Sequence, residues 1–127
     1  MKPLIIEGGD DTPAVIFDSE RGKFEISGRS LPENILSFYV PLYDWVLEYL
    51  RNPNNETIVD LKIDYLNSAS HKAINDLLDI FTELLKIGKV VTVNWHYLEE
   101  DEDMRETGKD FAELTGLNFI FKSFVLQ

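Results

Sequence analysis

Cysteine is absent from the chain, which excludes disulfides, thiolate metal sites and a cysteine nucleophile, and fits a reducing cytoplasm. Histidine is scarce too: His71 and His96 stand alone, with no H-x-x-x-H spacing to hold a metal. Basic residues are outnumbered, 12 Lys and Arg against 23 Asp and Glu, and a net charge of -11 repels nucleic acid and anionic lipid alike. No apolar run approaches the roughly 20 residues that span a bilayer, so no membrane insertion is expected. The short apolar start at Leu4-Ile5-Ile6 is broken by Glu7 too early for a signal peptide. Phosphate-cradling glycine patterns are missing as well, since neither G-x-G-x-x-G nor G-x-x-x-x-G-K occurs, and no cofactor is expected.

What is present is the material of a folded core. With 44% hydrophobic and 12% aromatic residues, the 127-residue chain is read as one domain, residues 1–127, whose acidity lies on its surface. Three short runs, Leu4 to Glu7, Ala14 to Asp18 and Lys23 to Ser27, are separated by turn-rich segments and read as strands, the last two a hairpin. Ser30-Leu31-Pro32-Glu33 matches the capping box S-x-x-E, which predicts a helix carrying the stripe Leu31, Ile35, Phe38, Leu42, Trp45, Val46 and Tyr49 and stopping at Arg51-Asn52-Pro53. From Thr57 to Tyr65 the odd positions Val59, Leu61, Ile63 and Tyr65 are apolar and Asp60, Lys62 and Asp64 are charged, the period of a half-buried strand. A second helix is expected from about Ser70 to Gly88, then a β-branched strand from Lys89 to His96. A third helix running to Gly116 and a last strand from Asn118 to Val125 complete the chain. The order β-β-β-α-β-α-β-α-β predicts an α/β fold, a mixed sheet with a parallel core, an antiparallel edge and three main helices.

Few residues can carry chemistry. Asp60, Asp64 and His96 share the wetter face of the sheet and are the only candidates for a small enzyme; that reading requires a closed pocket bringing Asp64 and His96 within hydrogen-bond reach. The acidic run Glu99 to Asp103 lacks the alternating ligands and glycine of a calcium loop and reads as a solvated loop feeding a helix N-terminus. The turn Asn67-Ser68-Ala69-Ser70-His71-Lys72 places small hydroxyls at a positive helix end, and two readings stay open for it. Asn67, Ser68 and Ser70 serve as ordinary caps and turn formers, or one serine accepts a phosphate held by the helix end, Lys72 and His71. The first helix also carries Leu36, Tyr39, Tyr43 and Leu50 beside its core stripe. That wide apolar arc suits either an assembly interface or a helix wedged between two elements.

The segment Asp64-Tyr65-Leu66-Asn67-Ser68-Ala69-Ser70-His71-Lys72, the strand Pro13 to Asp18 and the stretch Gly28-Arg29-Ser30-Leu31-Pro32-Glu33-Asn34 together resemble the SiaC-type regulatory phosphoproteins. The resemblance covers essentially the whole chain, and G-R-S-x-P-E-N with Y-x-N-[ST]-x-S are its most specific pieces. It implies a single-domain STAS-like fold and partner switching without enzymatic activity. In that family a hydroxyl in this turn is phosphorylated by an HPK-like protein kinase and dephosphorylated by a PP2C-type phosphatase. The unmodified form activates a diguanylate cyclase, with cyclic-di-GMP output and biofilm formation downstream. The position of Ser68 within the motif makes it the implied acceptor, Ser70 the second choice, and Asn67, Ser70, His71 and Lys72 the implied partner contacts. Family members often carry threonine followed by serine here, where this chain has Ser68 and Ala69.

Overall fold

The computed structural model describes residues 1–126. One six-stranded sheet runs in the order β1 (Leu4–Ile6), β2 (Ala14–Asp18), β3 (Lys23–Ser30), β4 (Glu56–Leu66), β5 (Val90–Leu98) and β6 (Asn118–Phe124). The first two pairings are antiparallel and the last three parallel, the mixed sheet that strand order and hairpin spacing predict. The three parallel connections are the crossover helices α1 (Ile35–Tyr49), α2 (Ser68–Lys86) and α3 (Glu102–Thr115).

The helices cover one face. Val59, Leu61 and Ile63 of β4 and Val91, Val93 and Trp95 of β5 point into a core closed by Leu42, Val46 and Tyr49 from α1 and Ile74, Leu77 and Phe81 from α2. The opposite face keeps Asp60 and Lys62 at its centre, where Lys62 pairs with Glu25 of β3 at 2.7 Å. Gly88 and Gly116, at φ of 78° and 74°, stand just past α2 and α3 in the left-handed conformation that only glycine adopts without strain.

Three local expectations are corrected and one open reading is narrowed. Ser30 does not cap α1; Asn34 does, accepting from Ser37 N at 3.1 Å, while Ser30 ends β3 fully buried and Leu31 lies before the helix. Tyr39, inside α1, supplies the Ser30 hydroxyl with a buried partner, which outcompetes a solvent-exposed cap. Second, α2 begins at Ser68 rather than near Ser70. Third, Tyr65 faces solvent: β3 and β4 shift register so that Gly28 pairs with Ile63 and Arg29 with Tyr65, leaving Asp64 as an extra residue. This bulge reverses the alternation, and the Arg29 guanidinium lies over the Tyr65 ring at 5.3 Å. Of the two readings open for the wide apolar arc of α1, the wedge accounts for most of it. Tyr39 is fully buried, Leu50 is packed against the core, and Tyr43 donates its hydroxyl to Ala73 O at 2.9 Å, whereas Leu36 is exposed.

Candidate functional site

At the C-terminal end of β4 the chain turns into α2 through a short, hydrogen-bonded corner. The Asn67 side chain accepts from Ser70 N at 2.9 Å, His71 N donates to Asn67 O at 2.9 Å, and Asn67 N donates to Ser30 O at 3.3 Å. Beneath it a buried chain of hydroxyls runs from Tyr39 to Ser30 Oγ, on to Ser70 Oγ at 2.8 Å, and from Ser70 back to Ser30 O at 2.7 Å. Burial pushes the Tyr39 hydroxyl above its ordinary pKa and outweighs its bonds to Ser30 and Ser70, so the chain is neutral and keeps its protons. These bonds tie the turn to β3 and α1 and fix its backbone.

The two serines are thereby separated. Ser70 is fully buried and holds the corner together from inside, away from the surface where a kinase or partner would meet it. Ser68, the first residue of α2, is exposed, and none of the bonds holding the turn uses its hydroxyl. Replacing Ser70 by alanine is expected to destabilise the fold by about 1–3 kcal/mol, because Ser30 loses buried partners on both its hydroxyl and its carbonyl. Urea unfolding measures the loss, and a change below about 0.5 kcal/mol would show that water or a rearranged Tyr39 replaces those bonds.

Ser68 opens into a groove of about 490 Å³ between the turn and the start of α3. Asp64, Asp101 and Asp103 line it together with His71 and Lys72, and Tyr65, Leu66 and Met104 form its apolar part. The two side chains expected to hold a phosphate already have partners at the groove's edge: Lys72 forms an exposed pair with Asp76 at 3.0 Å, and the His71 ring stacks on Phe111 at 4.4 Å between centroids. Asp101 caps α3 by accepting from Met104 N at 3.0 Å, so the acidic loop does feed a helix N-terminus, as its composition suggests.

The alternative trio on the open face is only partly assembled. His96 Nε2 lies 2.9 Å from Asp60 Oδ1, and Asn94 donates to the same oxygen at 3.1 Å. The Asp64–His96 hydrogen bond that the enzyme reading requires is not formed; Asp60, two rungs from His96, takes the imidazole. Among the described residues His96 is hydrogen-bonded to Asp60 and to no hydroxyl side chain. No group of three or more metal-ligating side chains occurs among them either. For Asp60, burial raises the pKa, but hydrogen bonds from His96 and Asn94 and the charges of His96 and Lys62 outweigh it and leave it below the usual carboxylate value.

A depressed folded value means that ionised Asp60 contributes stability above the unfolded pKa, roughly 3.9, and that this contribution fades as pH falls through the folded value. Asp60→Asn is therefore expected to be less stable than the parent at pH 6, with the gap closing toward pH 3. Urea midpoints at the two pH values check this, and a gap independent of pH would assign the loss to packing instead.

Residues 6–124 match the model of the SiaC family regulatory phosphoproteins. The chain belongs to that family. A protein of Pseudomonas aeruginosa strain UCBPP-PA14 is 34% identical over 113 residues, 89% of this chain and 90% of that one. Among solved structures, apo-SiaC from Pseudomonas aeruginosa has a TM-score of 0.87 at 32% identity, covering 97% of this chain and all, 100%, of that one. SiaC bound to the diguanylate cyclase SiaD, which it activates, has a TM-score of 0.89 at 32% identity over 95% of this chain and 99% of that one. The α/β fold and the regulatory phosphoprotein assignment expected from the G-R-S-x-P-E-N and Y-x-N-[ST]-x-S segments are both borne out. As for the membrane, no helix among the described residues is long and apolar enough to cross one.

Proposed function

We propose that this protein is a non-enzymatic switch that binds and activates a diguanylate cyclase while Ser68 is unmodified, and releases it when Ser68 is phosphorylated. The observation that carries the reading is an exposed hydroxyl on a hydrogen-bonded corner, in a chain whose fold matches that of SiaC in its complex with SiaD. A rigid presentation suits both roles. A kinase needs a free hydroxyl on a defined backbone, and a docking partner loses less entropy against a surface already fixed.

An HPK-like kinase would add the phosphate and a PP2C-type phosphatase would remove it, with cyclic-di-GMP output and biofilm formation downstream. Asn67 sets the corner, and His71 and Lys72 flank the contact surface. Kinase and cyclase both draw on nucleoside triphosphates, which on this reading puts the switch in the cytoplasm. Incubation with the cognate kinase and MgATP is expected to add one phosphate by intact mass, and Ser68→Ala to add none. Undiminished labelling of that variant would move the acceptor elsewhere and overturn the assignment.

A further inference from the structure

The sheet divides at its C-terminal edge. Pairing between β4 and β5 stops at Leu61 and Trp95, yet β4 continues along β3 as far as Leu66, and β5 continues along β6 as far as Leu98. Between Lys62–Asp64 on one side and His96–Leu98 on the other lies a cleft of about 250 Å³, with Asp101 and Met104 of the α3 start and Phe124 of β6 completing it. Strands that part in this way leave backbone groups on their facing edges without cross-strand partners.

The charges around the cleft are unequal. Lys62 is held by Glu25 and His96 by Asp60, both on the open face of the sheet. Asp64, thrown out of register by the bulge, forms no ion pair among the described residues, and Asp101 uses one carboxylate oxygen on Met104 N. The cleft thus combines two carboxylates and unpaired strand edges with the apolar surfaces of Ile63, Met104 and Phe124.

We propose that this cleft receives an arginine side chain of the docking partner, its methylenes against Met104 and Phe124 and its guanidinium between Asp64 and Asp101. Five donors in a planar fork can serve two carboxylates and neighbouring carbonyls together, which the compact ammonium of lysine cannot. Buried arginine anchors are also what protein interfaces favour. Asp64, Asp101 and Met104 line both the cleft and the groove at Ser68, so a segment crossing that serine would reach the cleft without a break.

The inference rests on the docking reading of this face, and it is tested without partner or phosphate. Backbone amide spectra of the full chain are recorded while arginine amide, lysine amide or norleucine amide is added. Arginine amide is expected to shift residues 62–66, 96–98 and 101–104, with about tenfold weaker binding of lysine amide and no localised shifts from norleucine amide. Asp64→Asn, at an exposed position, should weaken arginine amide about tenfold. Adding Asp101→Asn, which keeps a capping side chain, should abolish binding. Equal binding of lysine and arginine amides, shifts elsewhere, no shifts, or indifference to both asparagine substitutions would each overturn the proposal. Because these readouts do not involve Ser68, their failure leaves the phosphorylation switch standing, and a failed kinase assay leaves the cleft standing.

Discussion

Phosphorylated on Ser68, the protein is expected to bind its cyclase about a hundredfold more weakly than the unmodified form, or worse. The phosphate brings -1.5 to -2 charges, roughly, into a groove already lined by Asp64, Asp101 and Asp103. Lys72, at the groove's edge, would have to leave Asp76 to neutralise it, and the His71 ring is stacked on Phe111. The N-terminus of α2 offers little more. Asn67 already occupies the Ser70 and His71 amides, which leaves only those of Ser68 and Ala69. In the free protein this matters little, because water solvates the dianion. Under a docked partner the water must leave, and an uncompensated charge in an interface costs about 3–5 kcal/mol, against 1.4 kcal/mol for each factor of ten in affinity. The group also fills the groove by which a partner would reach the split between β4 and β5. Calorimetric titration of the cyclase with the enzymatically phosphorylated and unmodified proteins measures the difference. Equal affinities would mean that docking avoids Ser68, and the switch would fail. Ser68→Asp should fall between the two, since a single carboxylate is smaller and half as charged.

Much of that face could be read from periodicity. Ser70 falls on the stripe that continues through Ile74, Leu77 and Phe81, and Ser68 on the one through Lys72, Asp76 and Asp79, so the phase of α2 alone separates the buried hydroxyl from the exposed one. Keeping Ser70 as a second acceptor and a partner contact overlooks that signal. Ser30 was harder. S-x-x-E is a sound helix start, and only contacts with Tyr39 and with Ser70, 40 residues away, draw Ser30 into the core. The alternation in β4 held through Asp64 and then failed at Tyr65, since the bulge depends on β3, where Gly28 takes a φ of 107°. The pairing of Asp60 with His96 required the register of β4 against β5, which no local pattern encodes.

Gly108 gave no signal at all in the sequence, yet it fixes how closely α3 approaches the sheet. A Cβ there would lie 2.5 Å from Trp95 Cδ1 and 2.6 Å from its Nε1. The indole cannot retreat easily: it is fully buried, edge-on to Phe111 at 5.6 Å, and its Nε1 donates to Met104 O at 2.9 Å. Two effects oppose each other in Gly108→Ala. Alanine in a helix interior gains about 0.8–1 kcal/mol over glycine, while overpacking a rigid core costs typically 1–3 kcal/mol and occasionally more. Contact this short with an anchored ring lies at the costly end, so a net loss of about 1–2 kcal/mol is expected. Urea unfolding reads it directly, and Gly108→Ala in a Trp95→Phe background isolates the clash. The smaller ring gives the methyl room, so the alanine should there cost little or be stabilising. A Gly108→Ala variant more stable than its parent would show that α3 slides outward freely. In that case Asp101 and Met104, which ride on its first turn and wall both the Ser68 groove and the cleft, would not be held in place by Trp95.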